Sequence, residues 1–222
     1  MLPRLTQLGA FVRRGISTAG PIPESARIPG NYISNIGKQY IKLPPSVTVS
    51  QSPKAISVAG PLGTTDVPHP PFVKFHYLDP QTLAVTVEKP AVKKQRAIWG
   101  LTRTLIANAV TGMSEGFSTP LNFVGVGYRA AMEDDPRGKR PGFTGQRLNM
   151  KLGFSHNVYV PVPDHIQCEV VTPTKIMLGC TDKQKMGLFA AQLRSWRKPE
   201  PYKGKGIFVG AERVRMKTVK KK

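Results

Sequence analysis

The sequence predicts an α+β fold of two tandem similar modules, each a small, mostly antiparallel β-sheet arrangement packed with one helix, followed by a basic C-terminal tail. Two observations predict this fold. In each half of the chain, short segments that alternate apolar and polar residues precede one segment with helical spacing. The two helical segments also begin alike, with Lys94-Gln95 in the first and Lys183-Gln184 in the second. We interpret this repetition as a tandem duplication.

Composition restricts the function before any motif is considered. The 222 residues include 33 Lys and Arg against 13 Asp and Glu, a net charge of +20, and such an excess predicts a polyanionic partner. The two cysteines, Cys168 and Cys180, do not make a disulfide framework and indicate a reducing compartment. No apolar run reaches the roughly 18–20 residues of a membrane span, so we expect no membrane partner.

Residues 1–40 are predicted to be an N-terminal extension that resembles a mitochondrial transit peptide in composition. Residues 1–23 contain Arg4, Arg13 and Arg14 and no acidic residue, and hydroxyl-bearing residues follow the arginines. This pattern favours a location in the mitochondrial matrix. A disordered basic arm is the alternative interpretation.

The first module is predicted to span residues 41–117. Alternation predicts strands that include residues 47–49, 56–58, 73–77 and 83–87. Residues 64–71 are predicted to be a loop, because their prolines exclude a central strand. A helix is expected over residues 92–110. Its predicted core-facing stripe consists of Ile98, Leu101, Leu105 and Ala109, widened by Trp99 and Ile106.

The second module is predicted to span residues 118–198. Residues 121–131 are expected to be extended, and further strands are predicted at residues 148–152, 158–160, 166–171 and 175–178. A helix is expected over residues 182–196, with Asp182 as its N-cap. Its predicted apolar stripe consists of Met186, Phe189, Ala190 and Leu193. Residues 133–147, rich in Gly, Pro and charge, are predicted to be an exposed, flexible insertion in a hairpin.

Residues 125–130, Gly-Val-Gly-Tyr-Arg-Ala, match the residue types of a dinucleotide-binding pattern but lack its sequence context. That pattern needs a helix directly after it and an acidic residue about 20 positions further on. Here Pro136 ends any helix, and no acidic residue occurs from Pro136 to Pro163. The glycines are better explained by close backbone packing or by a bend in a strand.

No other pattern in the sequence indicates catalysis or a metal. His165 and Cys168 are three positions apart on a predicted strand, so their side chains are expected on opposite faces. The sequence contains no nucleophile elbow, metalloprotease helix or phosphate-binding loop. Because carboxylates are also scarce, we expect no enzymatic activity, cofactor, metal or small-molecule substrate.

Cations concentrate toward the C-terminus. On the second helix Lys183, Arg194 and Lys198 lie close to one face, and Arg197 lies one turn beyond Arg194. The helix leads into Pro199-Glu200-Pro201-Tyr202-Lys203-Gly204-Lys205-Gly206-Ile207, which we term the signature segment. Its lysines can neutralise phosphates, its glycines let the backbone approach, and its aromatic ring can stack on a base. A solvated basic linker is the alternative, but one polyanionic partner accounts for the whole cationic run.

The signature segment resembles the C-terminal signature of the large-subunit ribosomal protein L6 family. The resemblance is specific from about residue 103 to the end of the chain and weaker over residues 41–98. Apart from the insertion, order and spacing also agree for Ser114-Glu115-Gly116-Phe117, residues 124–130, Leu152-Gly153-Phe154-Ser155-His156, and Asp182-Lys183-Gln184. The insertion is not part of the family pattern.

The resemblance implies a non-enzymatic constituent of the large ribosomal subunit, with neighbouring ribosomal proteins around it. It implies binding to large-subunit rRNA near the sarcin–ricin loop, beside the docking region of translation factors. Residues 199–222 would be the rRNA-binding signature and tail. The rRNA-binding residues that it implies are Ser155, His156, Lys198, Tyr202, Lys203, Gly204, Lys205 and Gly206, and charge and spacing add Arg194 and Arg197.

The N-terminal extension bears on the compartment, and an alternative function stays open. The N-terminal extension of about 40 residues, with its transit-like composition, favours a mitochondrial ribosome over a bacterial one. The alternative function is that of a non-ribosomal RNA- or DNA-binding protein, because net charge alone does not distinguish one polyanion from another.

Overall fold

The first half of the chain folds into two three-stranded antiparallel sheets that pack with one helix. The computed structural model describes residues 34–218, so most of the predicted transit-like extension lies outside the described residues. The elements of this half are β1 Ile41–Lys42, β2 Thr48–Gln51, β3 Ala55–Gly60, β4 Gly63–Pro68, β5 Val73–Asp79, β6 Thr82–Val87 and α1 Lys93–Ser114. The strand orders are β1-β6-β5 and β2-β3-β4. Inward-facing residues such as Ile56, Leu83 and Ile106 make the core of this half.

Helix α1 buries Trp99, Ile106 and Ala109 of the predicted stripe, but not its two leucines. Leu101 is 57% exposed and Leu105 is 36% exposed, so the prediction is wrong at both positions. Trp99 instead directs its ring inward, where its Nε1 donates a hydrogen bond to the Val85 carbonyl oxygen at 2.7 Å. A buried indole N–H requires such a partner. The buried residues of α1 are Trp99, Thr102, Ile106, Ala109, Val110, Gly112 and Met113.

The described end of the N-terminal extension packs against α1. A Cβ atom at Gly37 would lie 2.7 Å from the Trp99 ring, so only glycine allows this close approach. The Arg103 guanidinium donates hydrogen bonds to the carbonyl oxygens of Gln39 and Tyr40, at 3.2 Å each. Residues 34–40 are therefore attached to the first module.

The second half repeats the plan with two antiparallel sheets and one helix. Its elements are β7 Phe117–Val124, β8 Arg129–Asp134, β9 Phe143–Lys151, β10 Val158–Pro163, β11 Gln167–Thr172, β12 Lys175–Cys180, α2 Lys183–Trp196 and β13 Gly206–Val209. The strand orders are β10-β9-β8 and β11-β12-β7-β13. A second hydrophobic core lies between these sheets and α2. The predicted α+β class with two similar modules is confirmed.

Helix α2 agrees with its prediction. The Asp182 carboxylate accepts hydrogen bonds from the backbone N–H groups of Gln184 and Lys185, at 2.8 and 3.4 Å, and so caps the helix. The predicted stripe is buried: its members are Met186, Phe189, Ala190 and Leu193. This helix therefore begins, and faces the core, as its local sequence predicts.

Two predicted segments differ from the structure. Residues 64–71 were expected to be a loop, but β4 covers most of them as an edge strand that pairs only with β3. Pro68 fits at the end of this strand because an edge strand tolerates a missing donor, and Pro70 and Pro71 follow the strand. The expected extended segment 121–131 is interrupted by a turn between β7 and β8. Gly127 has a φ of +74° there, and the Tyr128 N–H donates to the Gly125 carbonyl oxygen at 3.2 Å.

The predicted flexible insertion, residues 133–147, is largely a paired hairpin. The ladder between β8 and β9 continues into it, with Glu133 opposite Arg147 and Asp134 opposite Gln146. At the turn, the Asp135 carboxylate accepts hydrogen bonds from the Arg137 backbone N–H at 3.0 Å and the Arg140 guanidinium at 3.1 Å. The predicted hairpin and its exposure are therefore confirmed: residues 133–134 and 143–147 belong to its two strands, and residues 135–142 form the connection between them.

Candidate nucleic-acid interface

The loop between β9 and β10, residues 152–157, presents two aromatic rings to solvent. Phe154 is 39% exposed, and its ring stacks on that of His156 with a centroid separation of 5.6 Å and an interplanar angle of 17°. Ser155 and His156, both predicted as binding residues, are exposed on this loop. Stacked rings on a surface loop can receive an unpaired base.

Arg197 joins the end of α2 to this aromatic loop. Its Nε donates a hydrogen bond to the Tyr128 phenolic oxygen at 2.9 Å. Its guanidinium carbon lies 5.2 Å from the centroid of the Phe154 ring, within the range of a cation–π interaction. These two contacts place the cation beside the rings while its side chain stays exposed.

The turn between β7 and β8 positions Tyr128, the hydrogen-bond partner of Arg197. Tyr128 is buried in the second core, and a Cβ at Gly125 would lie 2.8 Å from its ring. Gly153, at the start of the aromatic loop, has a φ of +75° and also lies against the Tyr128 ring. Gly125 of the nucleotide-binding pattern therefore accommodates the Tyr128 ring, as the close-packing interpretation predicted, whereas Gly127, where a Cβ would meet nothing within 4 Å, supplies the positive φ of the turn.

The signature segment forms an ordered turn between α2 and β13. The Glu200 N–H donates to the Lys205 carbonyl oxygen at 2.9 Å, and the Ile207 N–H donates to the Arg197 carbonyl oxygen at 2.9 Å. A Cβ at Gly206 would lie 2.6 Å from the Pro199 Cα. These contacts hold the turn so that Tyr202 and Lys203 are exposed, with Lys205 half-buried.

Strand β13 was not predicted from the sequence. It pairs with β7 at the edge of the second sheet, with Gly206 opposite Val124 and Ile207 opposite Phe123. Ile207 is fully buried. The signature segment is therefore anchored at its C-terminal end in the core of the second module, and at its N-terminal end by α2.

Arg194 differs from the other predicted cations. Its guanidinium makes a two-pronged ion pair with the Glu212 carboxylate, in which Nε donates to Oε2 at 3.0 Å. The pair fastens residues after β13 to α2 and neutralises this cation. Lys198, by contrast, is exposed, and no ion pair involving it occurs within residues 34–218.

The predicted binding residues thus fall into two groups. The structure brings Arg197 to the aromatic loop and places Lys198 where α2 passes into the signature turn. Arg194 lies apart from them in its ion pair. Sequence reasoning missed Phe154, Tyr128 and Glu212. Phe154 was signalled by its place beside Ser155 and His156, whereas the other two act through contacts distant in sequence.

Other kinds of site were also sought in the described part of the chain. Over residues 34–218 no group of three or more His, Cys, Asp or Glu side chains is arranged to hold a metal ion. Neither α1 nor α2 is long and apolar enough to cross a membrane. Both cysteines are free thiols, and burial raises the pKa of the Cys168 thiol to about 11, which suppresses its reactivity.

A cationic surface with exposed aromatic rings is typical of a nucleic-acid-binding protein. A family model described as "Ribosomal protein L6" matches residues 124–210. The chain belongs to this family, as the following relatives show. Its members are structural, non-enzymatic proteins of the large ribosomal subunit that bind rRNA.

Relatives from bacteria and organelles match most of the chain. The large ribosomal subunit protein uL6 of Parvibaculum lavamentivorans is 37% identical over 196 residues, covering 86% of this chain and all of the relative. The uL6m protein of Neurospora crassa is 35% identical over 219 residues, covering 96% of this chain and 85% of the relative. The uL6c protein of Trieres chinensis is 42% identical over 188 residues, covering 85% of this chain and 98% of the relative.

Proposed function

We propose that this large-subunit ribosomal protein acts in the mitochondrial ribosome and binds large-subunit rRNA near the sarcin–ricin loop, beside the region where translation factors dock. The observation that carries the proposal is the junction of Arg197 with the stacked rings of Phe154 and His156. It combines a cation, exposed rings and the adjoining signature turn on one side of the second module.

The chemistry of this surface suits folded RNA. Lys198 and Lys203 can neutralise phosphates, and these contacts position the protein without reading sequence. Phe154 and His156 can stack on a splayed base, a mode typical of RNA loops. Tyr202, 55% exposed beside Lys203, offers a further ring. A contact at Gly204 would come from the backbone, which glycine leaves uncovered, whereas Gly206 is buried in β13 and would act by shaping the turn.

The mitochondrial location rests on the N-terminal composition together with a mitochondrial relative that covers 96% of this chain. Bacterial relatives are similarly identical but cover 86% of the chain. The extra residues have the basic, acid-free composition that import signals share. Neighbouring ribosomal proteins and passing translation factors would be the protein partners at this location.

Chemical footprinting of purified large subunits tests the rRNA position. Subunits depleted of the protein would be probed with hydroxyl radicals before and after wild-type protein is added back. We expect new protection at and around the sarcin–ricin loop, and the variant F154A/R197A, applied at equal occupancy, should lose part of it. Protection confined to other rRNA regions would contradict the proposal.

A fractionation experiment tests the compartment separately. A C-terminally tagged copy would be followed through isolation of mitochondria, protease treatment of intact organelles and sucrose-gradient sedimentation of the matrix. We expect protease-resistant protein that comigrates with the mitochondrial large subunit. Comigration with cytosolic or plastid subunits would overturn the mitochondrial location and leave the rRNA position untouched.

A further inference from the structure

The outer face of the sheet β10-β9-β8 contains a groove outside the residues assigned to rRNA binding above. Its volume is about 440 Å³, comparable with known small-ligand sites. One wall is the turn between β11 and β12, whose Pro173 carbonyl oxygen accepts a hydrogen bond from the Ala130 N–H at 2.7 Å. The groove is lined by Arg129, Ala130, Ala131, Asn149, Lys151, Asn157 and Pro173.

Two cations face each other in this groove. Arg129 on β8 is the direct cross-strand partner of Lys151 on β9. The next pair, Ala130 and Met150, is buried in the core, so alternation places Arg129 and Lys151 together on the outer face. Directly opposed side chains have Cβ atoms about 4.5–5.5 Å apart, and like charges at that spacing destabilise a sheet.

Nothing in the described part of the chain neutralises this pair of cations. Neither Arg129 nor Lys151 makes a side-chain hydrogen bond or ion pair within residues 34–218. Glu133 lies on the same face of β8, but its carboxylate already accepts hydrogen bonds from Arg147 and Asn149. The groove is therefore a fixed, uncompensated positive site, which an anion would relieve.

The groove is continuous with the aromatic loop. Lys151 ends β9 where that loop begins, and Asn157, which lines the groove, directly follows His156. The chain thus runs directly from Lys151 of the cation pair into the loop that carries the stacked rings of Phe154 and His156. The amide side chain of Asn157 adds a hydrogen-bonding group of the kind that contacts sugars and base edges, whereas the Asn149 amide donates to Glu133.

We propose that this groove binds the backbone of single-stranded RNA, with a phosphate between Arg129 and Lys151 and the adjoining base on the rings of Phe154 and His156. The inference rests on the proposed rRNA interface, because it extends the same aromatic loop to a second set of cations. The neighbouring rings and amides favour RNA over an acidic protein segment, which would not use a base-stacking surface.

Fluorescence anisotropy with the full chain and a labelled single-stranded RNA of mixed sequence tests the groove. Binding would be measured from about 50 to 200 mM NaCl for wild type and R129Q/K151Q. Each lost phosphate contact on single-stranded RNA lowers the salt slope of log K by about 0.7. We expect the slope to fall by about 0.7–1.4, with affinity reduced about fivefold or more at 100 mM.

Matched variants separate a site from a general loss of charge. K42Q/K54Q removes two exposed lysines of the first module and should change the slope by less than half as much. The melting temperature of R129Q/K151Q should equal or exceed that of wild type, because two opposed like charges are removed. If the salt slope of log K for R129Q/K151Q equals that for K42Q/K54Q, the proposal that the groove binds RNA is overturned.

Two further outcomes are distinct. K203Q/K205Q tests the signature turn in the same assay: a loss there with none in R129Q/K151Q overturns the groove alone. No loss in either variant overturns the proposed interface as well.

Polyglutamate of similar length would serve as a competitor. If R129Q/K151Q weakens polyglutamate binding as much as RNA binding, the assignment of the groove to RNA is overturned.

Discussion

Arg197 donates a hydrogen bond from its Nε to the phenolic oxygen of Tyr128, 2.9 Å away and 69 positions earlier in the chain. Tyr128 is buried between the two sheets of the second module, whereas Arg197 is exposed at the end of α2. The hydrogen bond therefore connects the core to the surface. It sets the guanidinium beside Phe154, where a ring and a cation can meet RNA together.

Tyr128→Phe should free Arg197 without emptying the core. The ring remains, so the loss is one hydrogen bond to a charged, exposed donor, worth about 1 kcal/mol of unfolding free energy. RNA affinity should fall severalfold because the cation is no longer fixed. Urea unfolding and RNA anisotropy measure the two effects. Tyr40→Phe, at a 54% exposed residue of the first module whose hydroxyl makes no hydrogen bond within residues 34–218, should change neither.

Gly206→Ala should disrupt the signature turn. Gly206 has a φ of +148°, and an added Cβ would lie 2.6 Å from the Pro199 Cα, a backbone atom that cannot move aside locally. We expect destabilisation of at least about 2 kcal/mol, since strain and overpacking combine. Thermal unfolding provides the measurement.

Gly187→Ala is the matched control for that change. Gly187 lies within α2, and a Cβ there would have no neighbour within 4 Å. Replacing a helical glycine with alanine should stabilise the protein by about 0.5–1 kcal/mol. The same substitution thus has opposite signs at two positions. A neutral Gly206→Ala variant would contradict the described geometry of the turn.

Glu212→Gln should affect stability and RNA binding in opposite directions. It removes the acidic partner of Arg194, whose side chain is 34% exposed, so the expected loss of stability is about 1 kcal/mol. It also releases one cation, so RNA affinity should rise and the salt slope should steepen. Parallel unfolding and anisotropy measurements test both effects. A fall in affinity at unchanged stability would show that Glu212 has another role.

The turn of the insertion hairpin should depend on the ionisation of Asp135. The hydrogen bond from the Arg137 backbone N–H holds the pKa of this carboxyl below its ordinary value of 3.8, and the Arg140 guanidinium contributes a smaller lowering. A lowered pKa means that the ionised form stabilises the fold above the unfolded pKa, and that this contribution is lost as pH falls through the folded pKa. The stabilisation by ionised Asp135 is therefore lost only at pH values below about 4.

Amide NMR follows this titration. The Arg137 N–H resonance should shift with a midpoint below 3.8, the ordinary value for this carboxyl, because it donates to the titrating oxygen. Asp135→Asn should abolish that shift. A midpoint at or above 3.8 would show that the hydrogen bond is absent in solution.

Local patterns predicted the elements that local chemistry determines. The Asp182 cap and the buried face of α2 follow from residues within a few positions of one another. Helix α1 carries apolar residues on more than one face, so periodicity alone selected Leu101 and Leu105. The indole of Trp99 determines the true orientation through a hydrogen bond to β6, and that contact depends on tertiary structure.

The candidate interface was predictable in composition but not in arrangement. The clustering of Lys203 and Lys205 with glycine and proline indicated a polyanion partner from sequence alone. The contact of Arg197 with Phe154, the pairing of Arg194 with Glu212 and the strand β13 all join segments that are distant in sequence or follow a tight turn. No local pattern encodes such contacts.

The most direct test of the central claim is incorporation of K203E/K205E into large subunits. A tagged copy would be expressed beside the native protein, and its ratio to other large-subunit proteins would be measured across a sucrose gradient. Reversal of both charges should reduce incorporation by about tenfold or more while the melting temperature stays near that of wild type. K42E/K54E, matched in charge, should incorporate normally. Equal incorporation of the two variants would contradict an rRNA-binding role for the signature turn.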